Sequence, residues 1–387
     1  MKTVFKAALL SCAAVLMAAS AQADTVKIGV LTSYSGITAT GGAQTDVVIK
    51  MFTDKYGTDI AGHKLEYVRR DTTGPNPAVA KPLAQDLMFR QKVQIINGLD
   101  FTPNVLAIAP LATAAKVPTI ITGAGTGGTV AQKSPYYIRT FQTEGQTARP
   151  MADWAIQHGV KKVYTIVADY APGFEAEKAF DSEFEKKGGT IVGKARAPTD
   201  NPEFASYMQR AKDAHPDAIF GFMPLGNVSI ALIHAYGTSG LKQAGIKLIG
   251  TGAIVDESTL EAEGDAALGV ITAFPYSPTH KSKANQQFEK EWAKVTDGKV
   301  TLGIAGVAFW DGMQLIRNGL EKQKDQPFSA RKFMDYVAGA KLTSPRGPIE
   351  IDPKTHDIIQ NVYIRRVERV NGKLENIEIA TFPHVMP

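Results

Sequence analysis

VKIGVL, residues 26–31, is a short apolar run broken only by Lys27 and Gly29, and it reads as a strand buried on both faces. The segments after it decide the class of fold. Ala43 to Lys55 has helical periodicity, and Lys64 to Arg70 returns to a strand pattern. Asn76-Pro77-Ala78 then supplies an N-cap residue and a proline at the first helical position, for a helix running to about Arg90. Val93 to Asn97, Asn104 to Ala115 and Thr119 to Thr122 continue as strand, helix, strand. A repeated β-α rhythm requires a parallel sheet covered by helices on both faces.

The rhythm restarts after Arg139-Thr140. Gln146 to Gly159 is a helix and Lys162 to Ala168 a strand. Ala176 to Lys187 is a helix with Phe180 and Phe184 on one face, closed by Gly188-Gly189. Thr190 to Lys194 is a strand, and Asn201-Pro202-Glu203 opens a further helix as Asn76-Pro77 does. Ala218 to Phe222, Val228 to Tyr236 and Lys247 to Gly250 complete a second series. The last third has helices at Asn285 to Thr296 and Ala305 to Lys322. A late antiparallel pair, Val362 to Val370 and Leu374 to Ile379, turns at Asn371-Gly372. Helices without enough strands of their own pack on sheets already built. The expectation is an α/β protein of two doubly wound, Rossmann-like lobes, the chain crossing between them more than once and leaving a cleft where strand ends face each other.

Composition agrees with a folded chain of this size. The 387 residues are 44% hydrophobic and 21% charged, which excludes the disordered, collagenous and multi-span membrane classes. Net charge is +5, and the basic residues are scattered as doublets such as Arg69-Arg70, so no nucleic-acid footprint is present. Lys2 and Lys6, the apolar stretch Ala7 to Ala19 and the small-x-small motif Ala21-Gln22-Ala23 form a secretory signal peptide over residues 1–23. Its removal takes away the single cysteine, Cys12, so the exported chain has no disulfide and no thiol chemistry. The competing lipoprotein box at Leu9-Leu10-Ser11-Cys12 leaves too short an apolar region.

Gly123-Ala124-Gly125-Thr126-Gly127-Gly128 satisfies G-x-G-x-x-G directly after a strand, with Glu144 near where a ribose-binding acid would fall. It follows the fourth strand rather than the first, Ser134-Pro135 interrupts any long helix behind it, and an exported protein rarely meets a dinucleotide. A loop bringing backbone N–H groups close to an anion is the better reading. Motifs for G-x-S-x-G hydrolases, H-E-x-x-H metalloenzymes and P-loops are missing. None of the seven histidines has metal-ligand spacing, and His158 and His215 read as helix-end residues. The acidic run Phe174 to Lys187 is interleaved with lysines and reads as a solvated helix face. No catalytic residue, metal site or cofactor is expected.

The order KIGVLTSYSG, RRDTTGPNPAVAKPLAQDL, VQIINGLDF, VPTIITGAGTG, YIRTFQTEGQ, VADYAPGFEAEKAF and SPRGPIEIDPKTHDIIQNVYIRRV resembles the solute-binding proteins of branched-chain amino-acid-type ABC importers. The resemblance spans the chain after the signal and implies the class I periplasmic-binding fold with three crossovers, near Arg139 to Thr143, Thr272 to Tyr276 and Thr343 to Gly347. It implies one lobe of residues 24–142 with 275–343, and another of 143–274 with 344–387. It also implies a monomer that meets membrane permease subunits, a periplasmic location and no enzymatic activity. The resemblance places the carboxylate site at Thr102 and Gly123, Ala124, Gly125 and Thr126; Tyr34 and Tyr170, at strand C-terminal ends, with Phe101 and Gly252 complete the expected ligand site. Thr102 and the loop Gly123 to Thr126 hold a carboxylate, and the two tyrosines close over the ligand from opposite lobes.

One departure bears on the ligand. Amino-acid binders of that family carry an acidic residue for the ligand ammonium in the loop where this chain has Gly250-Thr251-Gly252-Ala253-Ile254. An ammonium left unpaired in a closed cleft costs several kcal/mol, so an aromatic, 2-oxo or 2-hydroxy acid is favoured. Asp256 and Asp169 are the residues that could still supply the charge. A branched-chain amino-acid or amide binder, and a sensor signalling to a membrane receptor, are the competing functions.

Overall fold

The computed structural model describes residues 24–36, 39–125, 127–200 and 202–387. The signal segment with Cys12, and Thr126 and Asn201, lie outside the described residues. The first sheet holds β1 (Asp24–Thr32), β2 (Asp59–Ile60), β3 (His63–Asp71), β4 (Ile95–Gly98), β5 (Thr119–Ile121) and β6 (Tyr137–Arg139), in the order β2-β3-β1-β4-β5-β6. All neighbours are parallel except the β2/β3 hairpin. Between them run α1 (Ala39–Tyr56), α2 (Pro77–Gln85), α3 (Thr102–Ala115) and α4 (Val130–Lys133). The strand reading of VKIGVL holds, because Val26, Ile28 and Val30 enter one core cluster with α1 while Leu31 enters the cluster on the opposite face. A strand buried on both faces has no polar side to show.

The second sheet is built from β7 (Lys162–Ala168), β8 (Thr190–Ala197), β9 (Ala218–Phe222), β10 (Lys247–Thr251), β11 (Ile271–Phe274), β12 (Lys341–Ser344), β13 (Gly347–Ile351), β14 (Ile358–Val370) and β15 (Lys373–Val385). Its order is β12-β13-β14-β11-β10-β9-β7-β8, with β15 on β14. Its helices are α5 (Glu144–Gln157), α6 (Ala171–Lys186), α7 (Ala205–Asp213), α8 (Asn227–Thr238) and α9 (Leu260–Glu263). Two core clusters cover its faces: Tyr164, Ile166 and Ala168 of β7 enter one, Val163 and Val167 the other. The β14/β15 hairpin turns on Asn371 and Gly372, both at positive φ (49° and 85°), the backbone twist a two-residue hairpin needs. Of the later helices, α10 (Lys283–Thr296) and α11 (Ile304–Glu321) return to pack on α1 of the first lobe, with α12 (Ala330–Val337) against α11. Two doubly wound lobes therefore share the last third of the chain. Among the described residues no helix is long and apolar enough to cross a membrane.

Two local expectations need correction. The helix expected at Asn201-Pro202-Glu203 begins only at Ala205, because Phe204 turns its ring into the core of the second lobe and sets the first turn there. The acidic face of Ala176 to Lys187 is not wholly solvated. Glu177 and Asp181 lie one turn apart and are buried against β8, where Arg196 donates to Glu177 at 2.9 Å and Lys194 to Asp181 at 2.5 Å. Asn76 heads α2 as expected, but its side chain makes no capping bond.

Three arginines rank among the largest fully buried side chains, and each is paired with a carboxyl group. Arg139, ending β6, pairs with Asp357 at 2.8 Å. Arg346, between β12 and β13, pairs with Asp311 of α11 at 2.6 Å and also donates to the Thr140 carbonyl and to Gln360. Arg365 of β14 donates to the Tyr276 carbonyl at 2.7 Å and to Glu257 at 2.9 Å. Fully buried charges persist only with this density of partners.

Candidate functional site

In the first sheet the chain order reverses on either side of β1, and in the second on either side of β7. Crevices outside the carboxyl ends of strands at such points are where open α/β sheets bind ligands. Tyr34 follows β1, Phe101 and Thr102 follow β4, and Gly123 to Gly125 follow β5; all belong to one edge of the first sheet. Tyr170 follows β7 and Gly252 follows β10 on the corresponding edge of the second.

On the first lobe these residues are tied to one another. Asp100 accepts from the Ser33 N–H at 2.9 Å and from the Thr32 hydroxyl at 3.4 Å, which joins the loops after β4 and β1. A side chain on Gly123 would collide with the backbone of Asp100, so the loop after β5 lies directly against the same residue. The Tyr34 N–H donates to Asp71 at 2.9 Å, and its hydroxyl donates to Asp46 at 3.4 Å. Burial, with the Asp46 carboxylate second, pushes the Tyr34 phenol well above its ordinary value and keeps it a hydrogen-bond donor. Burial likewise raises Asp100, against the Ser33 and Thr32 donors.

Thr102 is the first residue of the 14-residue helix α3, with Phe101 at the cap and Pro103 behind it. No side chain caps this helix, so its first N–H groups and the positive end of its dipole are directed out of the sheet edge. The Thr102 hydroxyl has no hydrogen-bond partner among the described residues. A hydroxyl, a helix start and a glycine loop together form a set of neutral donors suited to a carboxylate. Thr126 falls outside the described residues; Ala124 is buried.

On the second lobe Tyr170 is half-buried, stands at the cap of α6 and packs on Phe222 with ring centroids 6.2 Å apart. Its phenol is raised by burial first and then by the Glu144 carboxyl. Gly252 has no room for a side chain, since a Cβ there would overlap the ring of Phe274. Arg365 lies 4.8 Å over that ring and donates to the Gly252 carbonyl at 3.4 Å. The group behind this wall is the Arg365 guanidinium, itself paired with Glu257, and position 252 carries no side chain. The two alternative acids differ in their surroundings. Asp256 is buried and accepts from the Ser258 N–H and hydroxyl at 3.0 and 2.7 Å, while Asp169 is exposed.

Sequence reasoning missed the structural role of Glu144. It begins α5 behind a capping box formed by Thr143 and Gln146, a T-x-x-Q signature legible in the sequence. Its carboxyl lies against Gly125 of the first lobe, is 9% exposed and accepts no hydrogen bond among the described residues. Burial first, then the neighbouring Glu175, raises it to about 8, with Arg139 acting in the opposite sense. Burial therefore favours its protonated, uncharged form. A cavity of about 590 Å³ opens beside it, lined by Gly127 to Thr129 of the glycine loop, by Arg149, Glu175 and Lys178 of the second lobe, and by Asp357. Tyr34, Phe101, Thr102, Gly123, Ala124, Gly125, Tyr170 and Gly252 do not line that cavity. Among the described residues no cluster of three or more His, Cys, Asp or Glu side chains is arranged to hold a metal.

Comparison with known proteins fits this geometry. Residues 25–373 match the family described as periplasmic binding protein. A Leu/Ile/Val-binding protein homolog of Brucella melitensis is 38% identical over 368 residues, 95% of this chain and 94% of the relative. A solute-binding protein of an ABC transporter from Rhodopseudomonas palustris BisB5, solved with 3,4-dihydroxybenzoic acid, is 42% identical with a TM-score of 0.88. It aligns over 94% of this chain and 98% of its own. The counterpart from Rhodopseudomonas palustris HaA2, solved with p-hydroxybenzoic acid, is 40% identical with a TM-score of 0.89 over the same shares.

Proposed function

Because the chain belongs to the periplasmic binding protein family, we propose that it is the periplasmic solute-binding component of an ABC importer and captures hydroxylated aromatic carboxylates. The observation that carries the ligand class is the pair of relatives at 40 and 42% identity, each aligned over nearly its whole length and each holding a hydroxybenzoic acid. The chemistry of this chain supports it. Thr102, the start of α3 and the glycine loop supply neutral donors for the carboxylate. Position 252 itself carries no acidic side chain for an ammonium. Ligand bridging both edges favours the closed arrangement of the lobes, which a permease subunit then recognises, and the solute is released unchanged. In this reading residues 24–142 with 275–343 form one closing body and 143–274 with 344–387 the other, with β12 reaching across to pair with β13.

A second reading, an amino-acid binder, is favoured by the Leu/Ile/Val-binding name of the Brucella relative. One screen separates the two. Thermal unfolding is followed with 4-hydroxybenzoate, 3,4-dihydroxybenzoate, benzoate and leucine, each at about 100 times its expected Kd, where a true ligand adds roughly 2.7 kcal/mol. The hydroxybenzoates are expected to raise the melting temperature and leucine to leave it unchanged. A leucine response equal to theirs refutes the aromatic assignment.

A further inference from the structure

Two glycines of the GAGTGG run lie against side chains of the other lobe. A Cβ on Gly125 would overlap the Glu144 carboxyl, and one on Gly127 would overlap the carboxylate of Glu175. Neither glycine has a positive φ, so backbone conformation does not demand glycine at either place. Close approach of the second lobe does. The Gly127 N–H donates to Glu175, the fifth residue of α6, while Gly127 belongs to the loop after β5 of the first lobe. Burial disfavours the charge on Glu175, and this hydrogen bond, Arg139 and Lys133 favour it.

We propose that Glu175 is a positioning residue for ligand capture: the second lobe presents its carboxylate to the first lobe's glycine loop, which is thereby held in place only while the lobes are together. The inference rests on the reading of the protein as a binding protein that closes on its ligand. It also explains the motif. At Gly125 and Gly127 two acids of the other lobe come within contact of the loop, and a side chain at either place would displace a carboxyl group. A loop whose ligand-binding part, Gly123 to Gly125, is continuous with a part gripped by the opposite lobe couples closure to the geometry of the donors.

The test is a double-mutant cycle on Gly127→Ala and Glu175→Ala, read by calorimetric affinity for 4-hydroxybenzoate. Each single change is expected to raise Kd by about tenfold or more, the range for a hydrogen bond to a charged acceptor. The double variant is expected to bind no worse than Glu175→Ala alone, because the added methyl group then meets no carboxylate. Glu175→Gln, which keeps an acceptor oxygen, should recover part of the loss. Additive effects, or a Glu175→Ala variant that binds as the parent does, overturn the proposal. If the parent protein does not bind 4-hydroxybenzoate, the ligand assignment fails on its own. The same cycle is then read from the melting temperature of the ligand-free protein, where Glu175→Ala should rescue Gly127→Ala, and no rescue overturns the proposal.

Discussion

Thr102→Ala is the most direct probe of the carboxylate site. The substitution removes one hydroxyl and keeps the uncapped start of α3 with its N–H groups. Since that hydroxyl has no partner among the described residues, its loss breaks no internal bond. Its cost should therefore appear in binding and hardly at all in the ligand-free protein. A hydrogen bond to a charged group is worth about 1.5–3 kcal/mol, so Kd for 4-hydroxybenzoate should rise about 10- to 150-fold. In a thermal assay at about 100 Kd the parent gains about 2.7 kcal/mol, and a tenfold weaker variant at the same concentration gains about 1.4 kcal/mol. With an unfolding entropy of about 2.1 cal/mol/K per residue over roughly 364 residues, those gains become about 3.5 °C and about 1.8 °C. Thr102→Ser should behave as the parent. Affinity within twofold of the parent in the alanine variant, measured by calorimetry, would refute the assignment of Thr102.

Two further outcomes concern stability. The Glu144 carboxyl, raised to about 8, keeps its proton in the folded state at pH values where the unfolded chain has lost it. Stability is therefore fully present below the ordinary carboxylate range and falls as pH rises toward about 8, by up to about 1.4 kcal/mol per pH unit crossed. Glu144→Gln should melt increasingly above the parent between pH 5 and 8, and parallel melting curves would contradict the burial argument. Arg346→Ala leaves Asp311 buried beside Ser344 without its cation, and should cost about 3–5 kcal/mol in urea unfolding. Replacing both partners by apolar residues of similar size should return much of that loss. A single-variant cost below about 1 kcal/mol would mean that water reaches the crossover.

The alternation of strands and helices was already written in the linear chain. Strands buried on both faces, such as Val26 to Leu31 and Lys162 to Ala168, carry their signal in local composition, and the hairpin at Asn371-Gly372 carries its own in turn chemistry. The same local reading put Thr102, Tyr34 and Tyr170 at strand ends, because a residue's place after a strand is a local fact. Spacing along the chain says nothing about which side chains from opposite lobes meet. Folding alone turned Glu144 from a suspected ribose ligand into an acid against Gly125, and brought part of the α6 acidic face to Gly127 and β8. The crossover arginines were equally illegible, since Arg346 and Asp311 are 35 residues apart and Arg365 and Glu257 are 108 apart. Phe274 shows the same limit: the glycine at 252 was visible in the sequence, but the ring that forbids a side chain there arrives from the next strand of the sheet, so the physical reason for the missing anion lies in packing rather than in the loop itself.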